Sequence, residues 1–89
     1  MIAERVHAVA AITEVRRLWA EGAAPSALLR ELQSRGIQGG DLIAVMRWAF
    51  SLGISTTHAI SAWLSAPDDE LVDQYLGRDM PARAAAFDD

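Results

Sequence analysis

The side chains able to do chemistry are few and scattered. His7 and His58 are the only imidazoles in the 89-residue chain and cysteine is absent, so a disulfide, a thiolate metal site and a thiol nucleophile are all excluded. No His-Glu-x-x-His run or other histidine-rich spacing surrounds the two histidines, and a metal centre would need carboxylates delivered to them from elsewhere in the fold. Ser55 and Ser61 lie close enough to His58 in sequence for a serine–histidine nucleophile pair. A helix-capping role for Ser55 and a surface position for Ser61 account for both serines more simply. The densest carboxylate set is Asp68, Asp69, Glu70 and Asp73, a group type that binds cations or moves protons, but the Asx/Gly spacing of a calcium loop is missing. Carboxylates are also what the positive end of a helix dipole favours. The expectation is a chain without enzymatic activity, metal or cofactor.

Helices must carry these residues, because apolar side chains recur at helical spacing from end to end. Ala8, Ile12, Val15 and Trp19 form one stripe of a first helix over Ile2 to Ala20, widened by Ala11 and Leu18, with Ile2, Val6 and Val9 on an adjacent arc. So wide an apolar surface predicts a helix central to the bundle or shared with a second copy of the chain. Glu21-Gly22 ends it, and Pro25 falls in the first turn of a second helix that runs to Arg35, with Leu28, Leu29 and Leu32 inward and Gly36 as its left-handed stop. The loop Ile37-Gln38-Gly39-Gly40 leads to Asp41 rather than to the Gly-Lys-Ser/Thr of a phosphate loop, and Asp41 is read as the cap of a third helix reaching Leu52. That helix buries Leu42, Ile43, Met46, Ala49 and Phe50 and leaves Trp48 outside the buried arc. Gly53 is its expected stop, Ile54 the plug of the turn and Ser55 the cap of a fourth helix to Leu64, with Ile60, Trp63 and Leu64 inward. Pro67 opens a fifth, with Leu71, Val72, Tyr75 and Leu76 on its apolar side, and Gly77 closes it. The fold class is therefore all-α: a compact bundle of about five short helices, with residues 1–76 as a single domain. Residues 77–89 are expected to be an acidic tail, partly disordered or docked through Met80 and Phe87.

Within the longest apolar-periodic stretch, Asp41 to Leu64, the run Ala49-x-x-x-Gly53-Ile54-Ser55 followed by Ile60-Ser61-Ala62-Trp63-Leu64 resembles a bacterial helix-turn-helix DNA-binding motif, one residue out of register. The resemblance covers residues 49–64 and no whole family. It implies a hairpin of two helices whose second helix reads DNA with Thr56, Thr57 and His58 while Arg47 touches phosphate, and hence a transcriptional regulator as one reading of function.

Charge favours a different partner. The net charge is −4, all eight basic residues are arginine, and residues 1–66 carry six arginines against five acids while residues 67–89 carry two against seven. The acidity thus belongs to the C-terminal end, which suits a basic protein surface better than a phosphate backbone. Trp48 beside Arg47 supplies the residue types that dominate protein interfaces. Together these point to a small protein-binding regulator, inhibitor, adaptor or immunity-type protein, with Arg47, Trp48, Asp68, Asp69, Glu70 and Asp73 as its candidate interface and a homodimer through the first helix as a further option. A second domain is excluded, because a chain this short buries only about 60% of its unfolded surface and has one core to build. The N-terminus lacks the basic lead and solid apolar core of a signal peptide, no run is long enough to span a membrane, and a cytoplasmic location is expected.

Overall fold

The structure, a computed structural model, describes the backbone of residues 2–83 and the side chains of residues 8–83. It contains α1 (Ile2–Ala20), α2 (Pro25–Ser34), α3 (Gly39–Phe50), α4 (Ile54–Ser65) and α5 (Asp69–Asp79), with no strand among the described residues. The all-α bundle expected from the sequence is what forms. The helices follow a ring in which α1 packs on α2 and α3, α3 on α4, α4 on α5 and α5 back on α2, with a lesser contact between α2 and α3 across it. The most extensive of these pairs is α1 with α3. The radius of gyration of 12.0 Å matches the roughly 12 Å of a fully folded chain of this length.

The core draws on every helix. Ala11, Val15 and Trp19 from α1 meet Leu28, Leu29 and Leu32 from α2 and Leu42, Val45, Met46, Ala49 and Phe50 from α3, while Ile60, Trp63, Val72 and Leu76 close the α4–α5 side. These are the helical-period positions read from the sequence, because burial of one face is the main force that selects the period. Gly22 and Gly36 adopt positive φ at the ends of α1 and α2, as the punctuation requires.

Helix ends differ from expectation where a tertiary contact overrides the local signal. α3 begins at Gly39, two residues before Asp41, with Gln38 at the N-cap and no side-chain cap. Gly39 takes φ +57 there, a conformation that glycine reaches without a Cβ penalty. The stop of α3 is Ser51 at φ +54, whose N–H donates to the Arg47 carbonyl at 2.7 Å, and not Gly53. Leu52, not Ile54, then plugs the turn, and Ile54 stands 75% exposed as the first residue of α4. Gly53 occupies the N-cap position that Ser55 was expected to fill. α5 starts at Asp69 rather than Pro67, because Asp68 caps it by accepting from the Leu71 N–H at 3.1 Å. It also runs through Gly77 to Asp79, and Met80 beyond it is buried in the core. Of the two side chains expected to dock the tail, Met80 is the one described, and Phe87 lies outside the described residues.

Candidate functional site

The three tryptophans divide the molecule. Trp19 is 5% exposed and sits where α1, α3 and the segment after α5 converge. Its indole N–H donates to the Pro81 carbonyl at 3.0 Å, Phe50 meets it edge-on at 6.2 Å, and the Arg83 guanidinium lies 3.8 Å from its ring centroid. Arg83 also donates to the Trp19 and Ala23 carbonyls at 2.7 and 2.8 Å, the first of which accepts from the Gly22 N–H as well, at 3.2 Å.

Trp63, 2% exposed, has a parallel arrangement built from charge. Its indole N–H donates to Asp69 Oδ1 at 2.7 Å, and Arg30 reaches from α2 to both carboxylate oxygens at 2.9 Å while its guanidinium stands 5.3 Å from the Trp63 ring centroid. The Trp63 N–H first, and Arg30 second, hold the Asp69 carboxyl below its ordinary value. One carboxylate thereby joins α2, α4 and α5.

Trp48 stands apart at 73% exposure on the outer side of α3, beside exposed Arg47. Neither side chain has a hydrogen bond, ion pair or ring contact with another described residue. The structure leaves this pair open and places it away from the acidic residues, since α3 and α5 make no substantial packing contact.

The acidic members of the candidate interface are occupied within the fold. Asp68 caps its own helix, Asp69 holds Trp63 and Arg30, and Asp73 Oδ1 accepts from the Ser26 N–H at 2.8 Å. Only Glu70 among the four is exposed with no polar partner among the described residues. Asp79, which sequence reading passed over, accepts from the Thr56 hydroxyl at 2.6 Å and the Gly53 N–H at 3.1 Å, and these two bonds in that order lower its pKa. Local sequence carries no signal for this role, because Thr56 and Gly53 lie 23 and 26 positions away.

Thr56, assigned to the DNA-reading edge by the helix-turn-helix resemblance, is turned inward to Asp79 and buried. Thr57 donates its hydroxyl to the Gly53 carbonyl at 2.9 Å, and His58 is exposed. The exposed positions of α4 are Ile54, Ser55, His58, Ser61, Ala62 and Ser65, without a single formal charge. His58, Ala62, Leu71 and Tyr75 line a shallow groove of about 340 Å³ between α4 and α5, with Trp63 at its floor and Asp68 at one end. Leu71 and Tyr75, expected on the apolar side of α5, are about half exposed along this groove.

Among the described residues no three His, Asp or Glu side chains converge as metal ligands, and no helix is long and apolar enough to cross a membrane. The side chain of His7 lies outside what the structure describes. Fold and surface together define a small all-α bundle with an exposed aromatic edge. No family model, curated protein or solved structure matches the chain.

Proposed function

We propose that this chain is a non-enzymatic protein-binding module, a regulator, inhibitor or adaptor whose contact surface is centred on Trp48 and Arg47. The observation that carries this reading is the exposure of Trp48 in a chain whose two other tryptophans are buried with their N–H groups satisfied. A tryptophan of this size in water forgoes roughly 2 kcal/mol or more of burial free energy, which a partner recovers. The adjacent guanidinium adds a hydrogen-bonding fork at the rim. Ile54, at the start of α4, is a second large apolar side chain left in water, and Glu70, on α5 and apart from Trp48, is the acidic residue left open for a basic partner.

The test is affinity capture from the native host followed by a binding titration with the purified partner. Trp48→Ala is expected to weaken binding at least about 30-fold while the circular dichroism spectrum is unchanged, and Glu70→Arg to weaken it less. Equal affinity of wild type and Trp48→Ala would remove this surface. DNA reading has less support, because the exposed face of α4 offers Ser55, His58 and Ser61 but none of the Arg, Lys, Asn or Gln side chains that usually read base edges. A salt-dependent duplex shift abolished by Arg47→Ala would restore it. Self-association through α1 also has less support, since Ala11, Val15 and Trp19 are spent on the core and Val9 is the large apolar residue left exposed among the described side chains of α1. A mass that rises with concentration in sedimentation would favour it.

A further inference from the structure

Three helices, α2, α3 and α4, begin without a side-chain cap on the N-cap residue, and for two of them another helix supplies the acceptor. α2 starts after Ala24 and α4 after Gly53, and neither residue has a side chain able to accept from the free N–H groups of the first turn. Both deficits are met from α5. Asp73 accepts from the Ser26 N–H of α2 at 2.8 Å, and Asp79 accepts from the Gly53 N–H at 3.1 Å and the Thr56 hydroxyl at 2.6 Å at the start of α4. Each carboxylate also sits at the positive end of its client helix. Asp69, between the two caps and the turn before α5, ties Trp63 of α4 to Arg30 of α2.

The apolar hold on α5 is slight by comparison. Val72 and Leu76 are its buried side chains, with Met80 just beyond. α1 and α3 instead interlock through Ala11, Val15, Trp19, Leu42, Val45, Met46 and Phe50. The polar contacts of α5 are within reach of water, where hydrogen bonds and ion pairs open more readily than packed apolar surface. The charged surroundings are simple. Arg30 is the cation that α2 brings to α5, while Glu31 and Arg35 pair with each other and Arg35 with Glu14. The one titratable side chain of α4 is His58, on the groove with Asp68.

We propose that α5 is a charge-held clasp that opens as a unit, releasing the starts of α2 and α4 together and uncovering Trp63 while α1 and α3 stay packed. The consequence is a domain with two levels of opening, in which the loosened state presents an apolar seam between α2 and α4. This inference stands apart from the Trp48 surface, which lies on the part that stays closed.

Amide hydrogen exchange on the full chain tests it, comparing wild type with Asp73→Asn and Asp79→Asn and with Gln74→Ala as a control on the same helix. Either cap substitution is expected to speed exchange about tenfold at Ser26 to Leu29, at Gly53 to Thr57 and along α5 together, with α1 and α3 at wild-type rates and the control silent. Two results overturn the proposal: uniform acceleration through all five helices, which would make the bundle one cooperative unit, and acceleration confined to the client helix of the residue changed, which would make the caps independent. Should a variant not fold, wild-type exchange in rising urea decides the same question. Merging of the α5, Ser26 and Gly53 amides at a lower opening free energy than α1 and α3 supports the clasp, and a single merger of all helices rejects it.

Discussion

Trp19 and Trp63 perform the same task in two chemistries. Each is a buried indole at a seam of three chain segments, with its N–H satisfied and an arginine near its ring. At Trp19 the acceptor is a neutral carbonyl and the arginine is itself anchored on two further carbonyls, so the arrangement contains no carboxylate. At Trp63 the acceptor is Asp69, and the arginine is held by that carboxylate. The first seam is thus indifferent to acid and little affected by salt, while the second responds to both. Similar burial can rest on contacts of different durability.

Removing either indole is the largest disturbance. Trp19→Ala and Trp63→Ala are each expected to cost roughly 3–5 kcal/mol in urea denaturation, a large part of the stability of a domain this size. If one costs far less than the other, the two seams are not equivalent in packing and the comparison fails at its first step.

Phenylalanine in place of each tryptophan isolates the N–H. Both variants should lose roughly 1–2 kcal/mol at pH 7. The Trp19→Phe loss is expected to persist into acid. In the folded protein Asp69 ionises below its ordinary value, so its contribution is fully present above that value and disappears as pH falls through the lowered one. The part of the Trp63→Phe loss that belongs to the hydrogen bond should shrink over the same interval. Urea midpoints measured from pH 7 down to pH 2 check this, and parallel pH profiles for the two variants would contradict it.

The arginines give the smallest and sharpest contrast. Arg83→Ala is expected to cost about 1–3 kcal/mol, because it takes a donor from two carbonyls and a cation from a ring. Arg30 is more than half exposed, and Arg30→Ala should cost under about 1 kcal/mol and fade with added salt. Thermal melts of both variants at low and high ionic strength separate them.

Much of this fold was legible because it follows from helical periodicity. Leu28, Leu29, Leu32, Leu42, Met46, Ile60 and Trp63 lie inside as their spacing demands, and Trp48 falls outside the arc on the same grounds. Helix ends were less legible, since a glycine or serine marks several candidate stops and a distant partner chooses among them. Ser51 rather than Gly53 ends α3 because Leu52 has a core site to fill. Gly53 starts α4 because Asp79, twenty-six positions along the chain, reaches its N–H. The partners of the acidic residues were hidden for a related reason. Sequence shows that Asp69 and Asp73 are charged but not that Trp63, Arg30 and Ser26 have already engaged them. What is exposed and unengaged, Trp48 above all, could be narrowed from sequence to a position at the margin of a helix face and no further.

The tie between Trp19 and Arg83 also bears on synthesis. These residues are sixty-four positions apart, and a growing chain exposes its N-terminal part first. When α1 leaves the ribosome, the Trp19 indole N–H has no acceptor and its ring no guanidinium until the segment after α5 follows, and the starts of α2 and α4 wait for the same late helix. Packing of α1, α2 and α3 can begin early, but the nascent bundle stays unsealed until Arg83 emerges, leaving a translational interval in which a chaperone would find Trp19 and Trp63 still accessible.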